Sequence, residues 1–205
     1  IIDRKLDTQR FTTITTGDQA AAKEAVLHAV ELGHSNLGFL IAVPGITGFT
    51  KTKPVIPITS VEERAAGFAD GVKAVKSDVK STAWVYCEDL ESVAEAAVKQ
   101  MLDAPKPPSV IFTSNNDMLL AVLKVAGERG QSIGKDISVI SFDDSPWAAA
   151  MKPGITVVAR PVEELGSLAV KELVSNIEGK VKPKQIVLPA HLITRGSVSR
   201  IRRSK

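Results

Sequence analysis

Val110-Ile111-Phe112-Thr113 is an apolar run that ends abruptly in Ser114-Asn115-Asn116-Asp117, a cluster of hydroxyl, amide and acid side chains. A short apolar run of this kind reads as a strand covered on both faces. Residues 117–129 then follow with helical spacing and stop at Gly130, the residue that closes helices most readily. The same sequence of events recurs around it. Residues 137–142 run into Asp143-Asp144-Ser145, and Ile1-Ile2 runs into Asp3-Arg4. Covered strands alternating with helices are the signature of parallel strands joined by crossovers, so the chain is expected to be α/β with a doubly wound parallel sheet.

Working outward, residues 19–33 place Ala22, Val26, Leu27, Val30 and Leu32 near one helical face, and Gly33 ends the run. Residues 37–43 and 83–87 read as strands, and 91–102 as a helix. Ser60-Val61-Glu62-Glu63 has the form of a capping box opening a helix through Ala74. Beyond Pro153, residues 155–158 are extended, 162–177 form an amphipathic helix, and 185–188 form a last strand. Residues 45–52, GITGFTKT, approach a phosphate-binding loop, but Thr50 stands where the second glycine is needed and Pro54 and Pro57 forbid the helix that should follow. The nucleotide reading is rejected, and the segment through Ile58 is an exposed loop.

Hydrophobic residues make up 44% and charged residues 24% of the 205, a balance that supports one α/β domain or two small lobes. The net charge of +3 is too small for a polyanion-binding body. Basic residues gather instead at the end, in Arg195, Arg200, Arg202, Arg203 and Lys205, as a solvated tail or a phosphate-contacting arm. Cys87 is the only cysteine, which excludes an internal disulfide and fits a reducing compartment. No apolar run is long enough to span a bilayer, so a cytoplasmic location without membrane contact is expected.

Ligands of open parallel sheets bind beyond the carboxyl ends of the strands. The clusters at 3–4, 114–117 and 143–145 fall at such ends. Plain helix capping would explain one residue in each, whereas the clusters supply several. Arg64 lies in a first helical turn, where the helix dipole disfavours a cation unless it is solvated or has another task. Acids and amides that accept, joined by an arginine that donates, suit a polyol, because each hydroxyl does both. Trp147 and Trp84 are candidate aromatic platforms, or core residues. Asp143 and Asp144 are adjacent and point opposite ways, so they cannot flank a glycosidic bond. His28, His34 and His191 lack metal-ligand spacing. No catalytic, metal or cofactor site is assigned, and the chain is expected not to be an enzyme.

Taken in order, IIDR at 1–4, an Asp18-led helix ending in Gly33-His34, R-x-x-G-F at 64–68, ND at 116–117, FDD at 142–144, P-x-x-T at 153–156, RP-x-x-x-LG at 160–166 and LP-x-x-L-x-x-RGS at 188–197 resemble the lac repressor family of bacterial regulators. The resemblance implies a type I periplasmic-binding-protein-like fold of two lobes around a cleft. It implies a sugar, polyol or nucleoside-like effector, held by Arg64, Asn116 and Asp143 from one lobe and Asp3 from the other. It also implies a homodimer that contacts operator DNA only through a helix-turn-helix head, with most of the first lobe truncated. On that mapping 1–14 and 159–184 are remnants of the N-terminal lobe, 15–158 and 185–199 an almost complete C-terminal lobe, and 200–205 a basic tail. The expected function is the effector-binding and dimerisation part of a repressor; the alternative is a solute-binding protein feeding a transporter. Three positions depart from the family. Leu90 stands where a stacking aromatic is usual, Arg160 where a glutamine or similar residue is usual, and Gly154 where a more rigid residue is usual.

Overall fold

The computed structural model describes residues 1–6, 10–179 and 181–201. Strand β1 (Thr13–Thr16) leads into helix α1 (Asp18–Glu31) and strand β2 (Asn36–Ala42). A short β3 (Phe49–Thr50), helix α2 (Thr59–Ala74), β4 (Ser81–Cys87), α3 (Glu91–Leu102) and β5 (Val110–Thr113) follow. Then come α4 (Asn116–Glu128), β6 (Ser138–Phe142), α5 (Pro146–Ala150), β7 (Thr156–Ala159), α6 (Val162–Ile177), β8 (Gln185–Leu188) and β9 (His191–Ile193).

Seven strands form one sheet in the order β3-β4-β2-β5-β6-β7-β9. The inner five are parallel, and β3 and β9 add antiparallel edges. Residues adjacent in a strand face opposite sides, which is why each buried strand is apolar throughout. Phe39, Phe112 and Ile140 pack with Val26 of α1 and Phe68 of α2, whereas Leu40, Ile111 and Val139 pack with Val98 of α3 and Leu119 of α4. Each such fully buried side chain contributes about 1.5–3 kcal/mol. The chain steps from β2 outward to β4 and then returns past β2 to β5. That reversal opens a crevice at the carboxyl ends of β2 and β5.

Trp84 belongs to the core reading. Its ring lies 4.8 Å from that of Phe68 and 5.9 Å from that of Phe39, in a cluster completed by Phe112.

A second sheet contains only β1 and β8, in parallel register from Thr13 opposite Gln185 to Thr16 opposite Leu188. Helix α6 covers it through Leu165, Leu168 and Ala169, which meet Ile14 and Leu188. The mapping that assigned 185–188 to the larger lobe is therefore corrected: β8 belongs with β1 and α6, and only the chain after it, through β9, rejoins the large sheet. The outer face of α6 leaves Val162, Val170, Leu173 and Ile177 exposed.

The capping box is also corrected. Helix α2 begins at Thr59, its N-cap is Ile58 in extended conformation, and no side chain caps it. The Thr59 hydroxyl accepts instead from the Lys5 backbone N–H at 3.0 Å, and Ser60 is buried inside the first turn. Within the 45–58 loop, Gly45 and Gly48 take φ of 84° and 70°, and the loop contributes β3 to the sheet edge. Arg195 is not a free tail cation, since its guanidinium holds Asp144. Arg202, Arg203 and Lys205 lie outside the described residues.

Candidate functional site

Each polar cluster at a strand end divides its labour. After β5, Asn115 is the N-cap of α4, its side-chain oxygen accepting from the Met118 N–H at 2.9 Å. That frees Asn116, whose side-chain oxygen is buried and has no hydrogen-bond partner. After β6, Ser145 caps α5 by accepting from the Ala148 N–H, and Asp144 accepts from both terminal nitrogens of Arg195 at 2.9 and 2.8 Å. That frees Asp143. The two adjacent aspartates serve different arginines, Asp144 holding Arg195 and Asp143 holding Arg160.

Asp143 sits at φ 68°, and Asp3, beside the bridge between Ile2 and Ile14, at φ 55°. They are the two non-glycine residues with left-handed backbone among the described residues. Such conformations cost on the order of 1–3 kcal/mol and concentrate where a side chain must be aimed. Both aspartates are aimed at Arg160, in the crossover between β7 and α6. Its Nε donates to Asp143 Oδ1 at 2.6 Å, and its Nη1 donates to both Asp3 oxygens at 2.8 Å. Burial opposes the Arg160 charge, but Asp143 and Asp3 outweigh it and hold the group above the ordinary arginine range.

Asp143 Oδ2 lies 3.7 Å from Arg64 Nη1. Arg64 is itself 3% exposed: its Nε donates to Asp18 Oδ2 at 2.7 Å, its Nη1 donates to the Ser114 carbonyl, and its guanidinium lies 4.6 Å from the centre of the Phe142 ring. The Thr16 hydroxyl donates to the other oxygen of Asp18. With α2 starting at Thr59, Arg64 lies in its second turn rather than its first, and a buried carboxylate stands opposite its charge. The result is one chain of alternating charges, Asp3, Arg160, Asp143, Arg64, Asp18, strung from the small unit into the large one.

Asp3, Arg64 and Asp143 are therefore brought together, and Asn116 lies at the end of the neighbouring strand, two residues beyond the Ser114 carbonyl that Arg64 holds. Trp147 stands on α5 just after Asp143-Asp144-Ser145, 37% exposed, with no ring contact to another aromatic among the described residues. Leu90 is half-exposed at the start of α3. The residue that sequence reasoning left out of the site is Arg160. Its signal was a cation directly after a strand end, facing two acid clusters. Among the described residues no group of three or more His, Cys, Asp or Glu could hold a metal. Burial pushes the Cys87 thiol up to about 12, and its sulfur lies 3.2 Å from Met118 Sδ. Among the described residues no helix is long and apolar enough to cross a membrane.

A doubly wound sheet joined by crossovers to a second unit, with polar groups of both meeting at the strand ends, defines a ligand-binding domain of the periplasmic-binding-protein-like class. The model of the family described as "Periplasmic binding protein-like domain" matches residues 26–198. The chain is 30% identical over 182 residues to the "Probable opine utilization operon repressor" of Rhizobium rhizogenes, covering 87% of this chain and 89% of that protein. It is 29% identical over 203 residues to the "Probable HTH-type transcriptional repressor ExuR" of Bacillus subtilis, covering 98% of this chain and 57% of that one. Among solved structures, a LacI family transcriptional regulator from Enterococcus faecium with bound ribose superposes with a TM-score of 0.83 at 20% identity, over 98% of this chain and 70% of that one. The chain belongs to the LacI family, of which it is the effector-binding, periplasmic-binding-protein-like domain. It spans little more than half the length of the Bacillus subtilis relative.

Proposed function

We propose that this chain is the effector-sensing part of a cytoplasmic bacterial transcription repressor. A small polyhydroxylated ligand enters between the sheet ends of the large unit and the small unit. There it contacts Asp3, Arg64, Asn116 and Asp143, with Trp147 flanking it. One observation carries the reading: Asp3 and Asp143 come from different units and meet on a single guanidinium. A ligand that competes for either carboxylate acts directly on the link between the units, which is how binding energy becomes a change in their relative arrangement. The unpartnered Asn116 oxygen supports a ligand that carries O–H donors.

In this reading the repressor works as a homodimer whose helix-turn-helix heads hold operator DNA, and ligand and operator alter each other's affinity reciprocally. The experiment is a thermal-shift screen against pentoses, hexoses, polyols, nucleosides and their acid and phosphate derivatives. A ligand at a hundred times its Kd stabilises by about 2.7 kcal/mol. Asp143→Ala and Asn116→Ala are expected to remove most of that shift. A hit that survives both substitutions places the ligand elsewhere and ends the proposal.

A further inference from the structure

Resting on that reading, we propose that Arg160 reads a carboxylate, so that the effector is a polyhydroxylated acid rather than a neutral sugar. Both oxygens of Asp3 and one of Asp143 are already taken by Arg160. The acceptor atoms that carry no hydrogen bond yet are the second oxygen of Asp143 and the buried Asn116 oxygen. On the donor side, the second terminal nitrogens of Arg160 and of Arg64 carry no hydrogen bond among the described residues. Each guanidinium therefore keeps an unused N–H edge, and the Asn116 amide nitrogen adds another donor. A neutral polyol asks for donors and acceptors in similar number; this surplus of donors suits a group that only accepts.

Charge points the same way. Two carboxylates share Arg160, so a third anion added to the set would be repelled, but an anion that takes the place of one of them leaves the local charge unchanged. Asp3 is the one to leave. It belongs to the small unit, its side chain is 28% exposed, and its backbone is held at φ 55°. A ligand carboxylate that accepts from Arg160 Nη1 and Nη2 would form the paired geometry that guanidinium favours, release Asp3 from Arg160 to accept from a ligand hydroxyl, and sever the bond between the two units. Its hydroxyls would then supply the donor that the Asn116 oxygen lacks.

Calorimetric titration of five- and six-carbon aldoses against the matching aldonic and uronic acids tests this. The acids are expected to bind at least roughly tenfold more tightly than their neutral partners, the size of one charge-assisted bond. Arg160→Gln is expected to erase the preference, the acids losing at least roughly tenfold more affinity than their neutral partners. Asp3→Asn, which keeps Arg160 and removes the competing carboxylate, is expected to tighten acid binding, and it tests the idea even if Arg160→Gln does not fold. Tight binding of neutral sugars alone, an acid preference that survives Arg160→Gln, or weaker acid binding in Asp3→Asn overturns the assignment of Arg160 while leaving the sensor reading intact. Binding of neither series overturns both.

Discussion

Asp18 is completely buried, and its two carboxylate oxygens accept there from Arg64 Nε and from the Thr16 hydroxyl. Removing one member of a buried pair costs about 3–5 kcal/mol, because the other is left uncompensated. Arg64→Met is expected to lose stability on that scale in urea unfolding, and Asp18→Asn added to it should restore a good part. A loss under about 1 kcal/mol would show the pair to be dispensable. Arg64 therefore supports the fold as well as the site, and Asp143 and Arg160 are the cleaner positions for probing ligand. Cys87 gives a second test at this scale: with its thiol pushed up to about 12 and no exposed surface, alkylation in the native state should be slow and should follow unfolding. A fast native reaction would contradict that burial. The polar surplus at 114–117 and 143–145 was legible because strand, cap and surplus lie within a few residues. Arg160 as a site residue was not, since its partner Asp3 is 157 residues away in sequence.

Periodicity needs length to register. Helices α3 and α6 showed their bounds in sequence because each repeats its pattern over its whole span, and the four-residue β5 because a proline-rich connector precedes it and a polar cluster follows it. β1, β3, α5 and β9 run only 2–5 residues and left no period to read. Ser60-Val61-Glu62-Glu63 had the composition of a cap, but composition does not say where the helix starts, and an N-cap at Ile58, two residues earlier, leaves Ser60 buried inside the first turn. Glycine in R-x-x-G-F has a reason that only packing reveals. A Cβ on Gly67 would stand 2.1 Å from the Gln19 carbonyl and 2.7 Å from the Ala22 Cβ, so α1 and α2 touch there at backbone distance. Gly67→Ala gains helix propensity of about 1 kcal/mol but overpacks a contact that cannot yield, at about 1–3 kcal/mol or more. Net destabilisation is expected. Gly127, near the end of α4, faces open space, so Gly127→Ala should stabilise by about 0.5–1 kcal/mol. Equal shifts of the two urea midpoints would refute the packing account.

Over the whole molecule, the fold class was legible because it depends on alternation, whereas the sheet that each strand joins depends on partners far away. β8 lies 172 residues from β1 in sequence and reads no differently from a strand of the large sheet. Another distant contact lies at the opposite end of the large sheet. There the Ile201 N–H donates to the Leu32 carbonyl at 2.8 Å, and buried His34 sits between the Ser109 hydroxyl at 2.9 Å and the Ser199 carbonyl at 3.0 Å. A carbonyl only accepts, so Nε2 carries the proton and the neutral ring keeps Nδ1 as acceptor for Ser109. Burial lowers the His34 pKa below its ordinary 6.5, against the pull of the Ser199 carbonyl and helped by the charge of His28. The unfolded chain then takes up a proton that the native state resists. Stability from this group is fully present above 6.5 and is lost as pH falls from there through the lowered native value. Urea midpoints measured at about pH 7.5 and about pH 5.5 should show the drop, and His34→Gln, which keeps a donor toward Ser199, should shrink it. If the wild type and His34→Gln lose stability in parallel over that window, the C-terminal segment is held by packing on Leu32 and Gly33 and not by the protonation state of His34.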